Sequence, residues 1–148
     1  MQKMTNSIAA RLASLNDVVC LEAQHLPGRD ADLNIYDRGR CIPFNPCRVF
    51  TVHARASVDR GHHAHKRCSQ LLVCLAGVCE VLVDDGVTRK TIALDRPTLA
   101  LYVPPSIWAE QRYRQQNAIL MVLCDRSYEE DDYIRDYGEF LAFRNGAA

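Results

Sequence analysis

The sequence predicts an all-β domain, a sandwich or a barrel, from the spacing of its apolar runs and from its size. Nine short β-rich runs follow one another, at residues 18–23, 32–37, 48–53, 70–76, 78–84, 90–94, 99–104, 107–113 and 118–125. Short strands at this spacing, separated by turn residues, are typical of antiparallel sandwiches and barrels. The 148 residues, 48% hydrophobic and 24% charged, are enough for a single core.

Two joints between these runs contain residues that favour tight turns. Gly77 can adopt a positive φ between the fourth and fifth runs, and Asp84-Asp85-Gly86 can form a hairpin tip between the fifth and sixth. We therefore expect antiparallel neighbours at both places. Pro104-Pro105 cannot donate to a ladder, so it predicts a strand end and a corner beside Trp108.

The two ends of the chain differ from its β-rich middle. Residues 1–16 predict a short amphipathic helix or a tail without function, and residues 17–148 predict one domain. Residues 127–143 begin with acidic side chains and continue with apolar residues near helical spacing. This pattern predicts a short C-terminal helix, or two turns, packed on the barrel, and its acidic run would be favoured by the helix dipole rather than by a cation.

Charge and cysteine content argue against several classes of protein. With 18 Lys+Arg and 18 Asp+Glu the net charge is zero, which argues against broad electrostatic binding to nucleic acid or to an anionic membrane. No run approaches the ~18 apolar residues that span a bilayer. The seven cysteines form no Cys-X-X-Cys, and we expect buried, reduced thiols of a cytoplasmic protein, with a Cys41–Cys47 disulfide as the alternative.

The stretch that points to chemistry is Arg60-Gly61-His62-His63-Ala64-His65-Lys66. On a strand, His63 and His65 point to the same face with Cα atoms about 6.6 Å apart, so they can act on one bound molecule. Imidazole titrates near neutral pH, which suits it to moving protons or to holding a metal. His62 is expected to face the opposite way. A purely structural pair, hydrogen-bonded inside a barrel, remains the alternative.

A metal is less favoured than acid/base work. The motif resembles that of metal-binding barrels of the cupin type, which use His-X-His, a glutamate and a later histidine. Gln70 stands at the glutamate position and Ala109 at that of the later histidine. Two neutral imidazoles and an amide bind Zn²⁺ or Fe²⁺ weakly. We therefore predict no metal and no other cofactor, with a metal-dependent oxygenase or isomerase as the alternative.

Cationic and aromatic residues near the motif predict the rest of the site. Arg60, Lys66 and Arg67 would attract an anion such as a diphosphate, although Lys66 and Arg67 could equally belong to a solvated strand end. Tyr102 and Trp108, beside the proline corner, could stack on a base or sugar, or pack in the core. The predicted substrate contacts are Arg60, Lys66, Gln70, Tyr102 and Trp108.

Five segments of the chain resemble the nucleotide-sugar 3,4-ketoisomerases, which are WxcM-like cupins that act on dTDP-4-keto-6-deoxyglucose. They are residues 42–50, 60–66, 70–86, 101–108 and 128–141, with HAHK and DDYIRDY the most specific strings. The resemblance implies a metal-free jelly-roll homodimer in which His63 and His65 carry or support proton transfer. It also implies a reaction in deoxy- or aminosugar biosynthesis: removal of the C3 hydrogen beside a C4 ketone, an enediol, and a ketone left at C3.

The chain departs from that family's pattern at four places. Thr51 stands where an aromatic residue is usual, Ser69 and Ala109 stand where histidine is common, and no glycine follows Arg29. A catalytically silent module that binds a nucleotide sugar is therefore the alternative function, and the sequence leaves open which histidine would be the base.

Overall fold

The computed structural model describes residues 11–146. Most of the predicted N-terminal helix or tail lies outside them, and Leu15–Asp17 forms a short 3-10 turn capped by Ser14. The strands are β1 (Val19–Glu22), β2 (Gln24–Leu26), β3 (Leu33–Ile35), β4 (Arg48–Ala54), β5 (Val58–His65), β6 (Gln70–Ala76), β7 (Cys79–Asp84), β8 (Arg89–Leu94), β9 (Leu99–Val103), β10 (Trp108–Tyr113), β11 (Ala118–Cys124) and β12 (Tyr133–Ile134). A second 3-10 turn, Glu130–Asp132, precedes β12, and helix α1 spans Tyr137–Arg144.

Two antiparallel five-stranded sheets face each other, in the orders β1-β9-β6-β11-β4 and β12-β5-β10-β7-β8. The short pair β2-β3 forms a third sheet. Apolar side chains from both large sheets fill the space between them, including Leu72 and Leu120 from one sheet and Val81 and Val83 from the other. The prediction of an all-β, cupin-type jelly roll with a short C-terminal helix is confirmed.

The two turn predictions had different outcomes. Strands β7 and β8 form the expected antiparallel hairpin around Asp84-Asp85-Gly86. The prediction that the runs flanking Gly77 pair with each other is wrong, because β6 pairs with β9 and β11 whereas β7 pairs with β8 and β10. Gly77, at φ +71°, instead carries the chain from one sheet to the other, and a Cβ there would lie 3.0 Å from Ala118.

All nine predicted runs contain a strand, and three further strands are present in residues 11–146. Strand β2 has three residues of which only Leu26 is apolar, and β12 has two residues, so neither forms an apolar run. Strand β5 is rich in polar residues and holds the histidine motif. Its sequence does not alternate between apolar and polar residues, because one face of the strand lines a polar cavity rather than the core.

The cysteine prediction is right for five residues and wrong for two. All seven are free thiols, and those at 41, 68, 74, 79 and 124 are buried. Cys20 is exposed on the edge strand β1, and Cys47 is exposed immediately before β4. Within residues 11–146, the structure contains no helix long and apolar enough to cross a membrane.

The C-terminal helix is shorter than predicted and does not include the acidic run. Helix α1 starts only at Tyr137, with the Asp136 side chain accepting from the backbone N–H of Glu139. The acidic run is therefore not in the first turn of this helix; it forms the 3-10 turn, whose carboxylates contact Arg67 and His65. Phe140 is fully buried and packs α1 onto the sheet that contains β5.

Candidate active site

A β-bulge in strand β5 shapes the site. The register between β5 and β10 pairs Ala109 with His63 but Glu110 with Gly61, so His62 is an extra residue. Gly61 and His62 both have positive φ, at 85° and 57°. Side chains alternate in a regular strand, so residues 60 and 63 would point to opposite faces. The extra residue brings Arg60 and His63 to the same cavity.

His62 lies away from this cavity, as predicted from alternation. Its side chain is half-exposed, and its Nδ1 lies 3.4 Å from the Glu110 carboxylate. His62 therefore provides an imidazole close in sequence to the predicted pair but outside the pair's environment.

His63 and His65 lie side by side in an aromatic cluster. Their ring centroids are 5.0 Å apart and the rings are nearly perpendicular, at 86°. The ring of Tyr133 contacts both, at 5.0 Å from His63 and 4.4 Å from His65. This ring is placed there because β12 pairs with the end of β5, with Tyr133 opposite His65.

A buried carboxylate orients His65. Its Nδ1 lies 2.8 Å from Oδ2 of Asp132, and both side chains are more than nine-tenths buried. An ionised carboxylate only accepts, so Nδ1 carries the proton and Nε2 keeps a lone pair. Nε2 is buried and has no hydrogen-bond partner. A buried acceptor with an unused lone pair is a candidate to receive a proton.

Asp132 is held ionised by its hydrogen bonds. Burial opposes its ionisation, but the bonds from the His65 ring and from the backbone N–H of Arg67 outweigh burial and keep its pKa below the usual value. The Arg67 N–H donates to Oδ1 at 2.6 Å. Asp132 therefore presents a fixed negative charge to one side of the His65 ring.

Both imidazoles of the pair are neutral at pH 7. Burial, together with the neighbouring His65, lowers the pKa of His63 to about 4. Burial also lowers the pKa of His65, although the hydrogen bond to Asp132 acts in the opposite direction. Neutral rings are the form that a proton acceptor needs.

The cavity next to the pair has a volume of about 370 Å³ and a strongly polar lining. Three arginines, Arg48, Arg60 and Arg135, border it, together with the amides of Gln70 and Gln111. The Arg135 guanidinium lies over the Tyr133 ring, 4.3 Å from its centroid. Cavities of this size bind small molecules, and this lining favours an anionic, hydroxylated one.

The structure brings together four of the seven residues that the sequence predicted for the site. Arg60, His63 and Gln70 line the cavity, and His65 lies behind it, in contact with the lining residues His63 and Tyr133. Gln70 is buried at the start of β6, and its amide donates to the Cys124 sulfur at 3.5 Å. These four come from two neighbouring segments of the chain.

The other three predicted residues lie elsewhere. Lys66 and Tyr102 line a different cavity, of about 580 Å³, at the proline corner. Trp108 is 4% exposed, packs against Tyr137 and Phe140 of α1, and donates its indole N–H to Glu110. The structure gives Trp108 a packing role, because no face of its ring is free, and a substrate contact for these three residues stays a prediction.

Sequence reasoning missed five residues that surround the pair. Asp132, Tyr133 and Arg135 come from the DDYIRDY string, which carries the family resemblance but whose spacing predicts a helix or two turns rather than part of the site. Its mixture of charged and aromatic residues is the signal that could have marked it as part of the site. Arg48 and Gln111 also line the cavity, but nothing in their sequence context distinguishes them.

Two of the family departures lie at the site and one beside it. Thr51 borders the cavity. Ala109 is buried in the core opposite His63, so the usual positions of a cupin metal supply only the two imidazoles here. The Ser69 hydroxyl is 3.3 Å from the hydroxyl of Tyr102, on the proline-corner side.

Comparison with known proteins places the chain in a family. Residues 16–145 match the family described as WxcM-like, C-terminal (FdtA). The chain belongs to this family. A relative from Aneurinibacillus thermoaerophilus, named TDP-4-oxo-6-deoxy-alpha-D-glucose-3,4-oxoisomerase, is 41% identical over 108 residues, which are 72% of this chain and 78% of the relative.

Solved structures of 3,4-ketoisomerases share the fold over most of the chain. A 3,4-ketoisomerase from Helicobacter canadensis superposes with a TM-score of 0.83 at 34% identity, covering 87% of this chain and 98% of that one. QdtA, a sugar 3,4-ketoisomerase from Thermoanaerobacterium thermosaccharolyticum in complex with TDP, superposes with a TM-score of 0.84 at 28% identity, covering 90% and 98%.

Proposed function

We propose that this protein is a metal-free 3,4-ketoisomerase that converts a dTDP-linked 4-keto-6-deoxyhexose to its 3-keto isomer, in deoxy- or aminosugar biosynthesis. The observation that carries the proposal is the pair of neutral imidazoles beside an arginine-lined cavity, one of them oriented by a buried carboxylate. The names of the relatives support the same reaction.

His65 is the base in this proposal. The C4 ketone acidifies the hydrogen on C3, and Nε2 of His65 has the free lone pair that accepts it. Asp132 stabilises the imidazolium that forms, because its charge lies 2.8 Å from Nδ1. The imidazolium then returns a proton to C4, so that one C–H bond breaks and another forms.

The oxygen atoms exchange one proton in the same reaction. The C3 hydroxyl loses its proton and the C4 oxygen gains one, which leaves the ketone at C3 and a hydroxyl at C4. His63 is suited to this transfer, because it is neutral, lines the cavity and contacts His65. The Tyr133 hydroxyl is the second candidate, since its ring contacts both imidazoles.

The cavity lining accounts for binding. Arg60, Arg48 and Arg135 provide guanidinium groups for the diphosphate, which they can bind through paired hydrogen bonds. Gln70 and Gln111 can donate to or accept from sugar hydroxyls. A carbanion-like intermediate also benefits from positive charge near the reacting carbons.

The test is incubation with dTDP-4-keto-6-deoxyglucose in D₂O, followed by NMR and mass spectrometry of the sugar. Formation of the 3-keto isomer, with deuterium at the reprotonated carbon, is the expected result. Binding of the nucleotide sugar with neither product nor exchange would contradict the proposal and favour the silent binding module. Activity that disappears with a chelator and returns with a metal would contradict the metal-free mechanism.

We also propose that the chain forms a homodimer. Strand β4 is an edge strand, and its Val49 side chain is 57% exposed. Apolar edge strands are protected in many proteins by pairing with another chain. Light scattering after size exclusion should give twice the mass of 16.7 kDa; a monomer mass at micromolar concentration would contradict this.

A cytoplasmic location belongs to the same proposal. The proposed substrate is a nucleotide sugar, and the seven cysteines are free thiols, as expected for a reducing compartment. Fractionation of cells that express the protein should recover it with cytoplasmic markers, and recovery with exported proteins would contradict the assignment.

A further inference from the structure

Three buried side chains of different chemistry meet next to the histidine pair. His65, Cys68 and Asp132 each offer a metal-ligating atom, and these atoms all lie within 4.8 Å of one another. Their exposed fractions are 7%, 4% and 2%. It is the only group of this kind in the part of the chain that the structure describes. The proposed reaction uses His65 and Asp132 but has no role for Cys68.

Backbone pairing holds the three residues in place. The N–H of Lys66 donates to the Asp132 carbonyl at 2.8 Å, and that of Arg67 donates to the Asp132 carboxylate at 2.6 Å. These bonds tie the loop after β5, which carries Cys68, to the turn that carries Asp132. The cluster is therefore preformed, and binding an ion would not require the loops to fold around it.

The distances suit Zn²⁺. The Nδ1 and Oδ2 atoms are 2.8 Å apart with a proton between them. Zn–N and Zn–O bonds of about 2.0–2.2 Å in a tetrahedral arrangement separate such atoms by about 3.4 Å, so the ion can replace the proton if the two groups move apart by about 0.6 Å. The Cys68 sulfur lies within 4.8 Å of the other two ligand atoms.

Charge and ligand softness favour the same ion. A carboxylate and a thiolate neutralise the two charges of Zn²⁺, so the occupied site carries no net charge into the buried region. Thiolate and imidazole select Zn²⁺ over Mg²⁺ or Ca²⁺, which require oxygen ligands. The thiol of Cys124, which lies beside that of Cys68, or a water, can serve as the fourth ligand.

We infer that His65, Cys68 and Asp132 form a Zn²⁺ site and that its occupation inhibits the isomerase. A metal on Nδ1 leaves the neutral ring with its proton on Nε2, the atom that must accept the C3 hydrogen. Binding therefore releases the Cys68 thiol proton and moves the His65 proton from one ring nitrogen to the other. The inhibition rests on the proposed function, whereas the binding does not.

Co²⁺ is the spectroscopic probe for binding. Titration of chelator-treated protein with Co²⁺ should produce a thiolate-to-metal charge-transfer band in the near ultraviolet that saturates at about one ion per chain. Zn²⁺ should abolish the band by competition. Cys68→Ser should lose the band, and Cys47→Ser, which changes an exposed thiol far from the cluster in sequence, should keep it. A band that survives in Cys68→Ser would overturn the site.

Zn²⁺ inhibition is the second measurement. Zn²⁺ at saturating concentration should lower the isomerase rate of the wild type and of Cys47→Ser at least about tenfold. Cys68→Ser should keep its rate without metal and resist the same Zn²⁺ concentration. Equal inhibition of Cys68→Ser and wild type would overturn the inference.

Two further outcomes separate the inference from the proposed function. A Cys68-dependent band in a protein that shows no isomerase activity even without metal would refute the function and leave the site intact. A Cys68-dependent band without inhibition would refute the inhibitory role. If circular dichroism shows that Cys68→Ser is unfolded, Cys68→Ala removes the ligand without adding a buried hydroxyl, and the same outcomes apply.

Discussion

The histidine cavity and the proline-corner cavity differ in the chemical groups that line them. The larger, of about 580 Å³, is lined by Lys66, Tyr102, Pro104 and Pro105 with the segment that starts at Arg11. The smaller, of about 370 Å³, is lined by the neutral His63 imidazole and three arginines, and the His65 imidazole with its buried carboxylate packs against His63. The site for proton transfer is therefore recognised by neutral imidazoles close to a buried carboxylate, and not by the volume of the cavity.

Residues that are adjacent in the sequence contribute to different cavities. His65 and Lys66 are adjacent, yet His65 packs against His63 whereas Lys66 lines the proline corner. Gln70 lines the histidine cavity, whereas Tyr102, on the neighbouring strand β9, packs against Phe44 on the outer side of the sheet. The two faces of one sheet therefore have different environments, and side-chain alternation decides which residue belongs to which.

The largest expected effect follows from removing an imidazole of the pair. His65→Asn and His63→Asn should each lower kcat by about 10³-fold, because acid/base groups contribute roughly 10²–10⁴-fold. Initial rates with dTDP-4-keto-6-deoxyglucose, with binding of the nucleotide sugar measured by calorimetry, check this.

His62 provides the matched control for these variants. It lies beside His63 in sequence but contacts Glu110 outside the cavity. His62→Asn should keep kcat within about threefold of the wild type. Equal losses in all three variants would mean that the motif acts through the fold of β5 and not through a shared cavity.

Asp132 tests whether the orientation of His65 matters. Asp132→Asn should lower kcat by about 10²-fold with little change in KM, because an amide cannot hold the His65 proton on Nδ1 as firmly as a carboxylate. Asp131→Asn is the control, since Asp131 is exposed and only forms an ion pair with Arg67. A normal rate in Asp132→Asn would show that His65 needs no orienting partner.

The pH profile tests the burial of the pair. Burial lowers the pKa of His63 from 6.5 to about 4 and also lowers the pKa of His65, so both rings stay neutral at a lower pH than a solvated imidazole does. The kcat/KM profile, which reports the free enzyme, should therefore have its acid limb below pH 6.5. An acid limb centred near 6.5 would mean that the imidazoles are solvated.

The lowered pKa values also predict how the free energy of unfolding depends on pH. Between pH 6.5 and about 4 the His63 imidazole binds a proton in the unfolded chain but not in the folded protein. The free energy of unfolding should therefore decrease as the pH falls through this range. Urea denaturation of wild type and His63→Asn at several pH values checks it, and an equal pH dependence in both would contradict it.

Substitution of Trp108 distinguishes a role in packing from a contact with the substrate. Trp108→Ala should lower the free energy of unfolding by about 3–5 kcal/mol, because it removes a buried indole from between β10 and α1. Urea denaturation measures this loss. A stable variant with a raised KM would instead support the sequence prediction that the indole contacts substrate.

The sequence predicted the sheets better than the site. Short β-rich runs separated by turn residues predicted nine strands, because strands of a sandwich are short, apolar and joined by turns. It did not predict the bulge at His62, which depends on the opposing Glu110 and Ala109. It also missed Asp132, which follows His65 by 67 residues and reaches it only through the pairing of β12 with β5.

The smallest effects are expected at the proline corner. Lys66→Ala and Tyr102→Phe should change kcat and KM by less than about threefold, because neither residue borders the histidine cavity. Steady-state kinetics on both variants measure this. A tenfold rise in KM with an unchanged kcat would mean that the nucleotide extends around the sheet edge to the proline corner, as the sequence predicted. The two cavities would then be successive parts of one binding site, because uniform binding energy lost far from the reacting carbons raises KM alone.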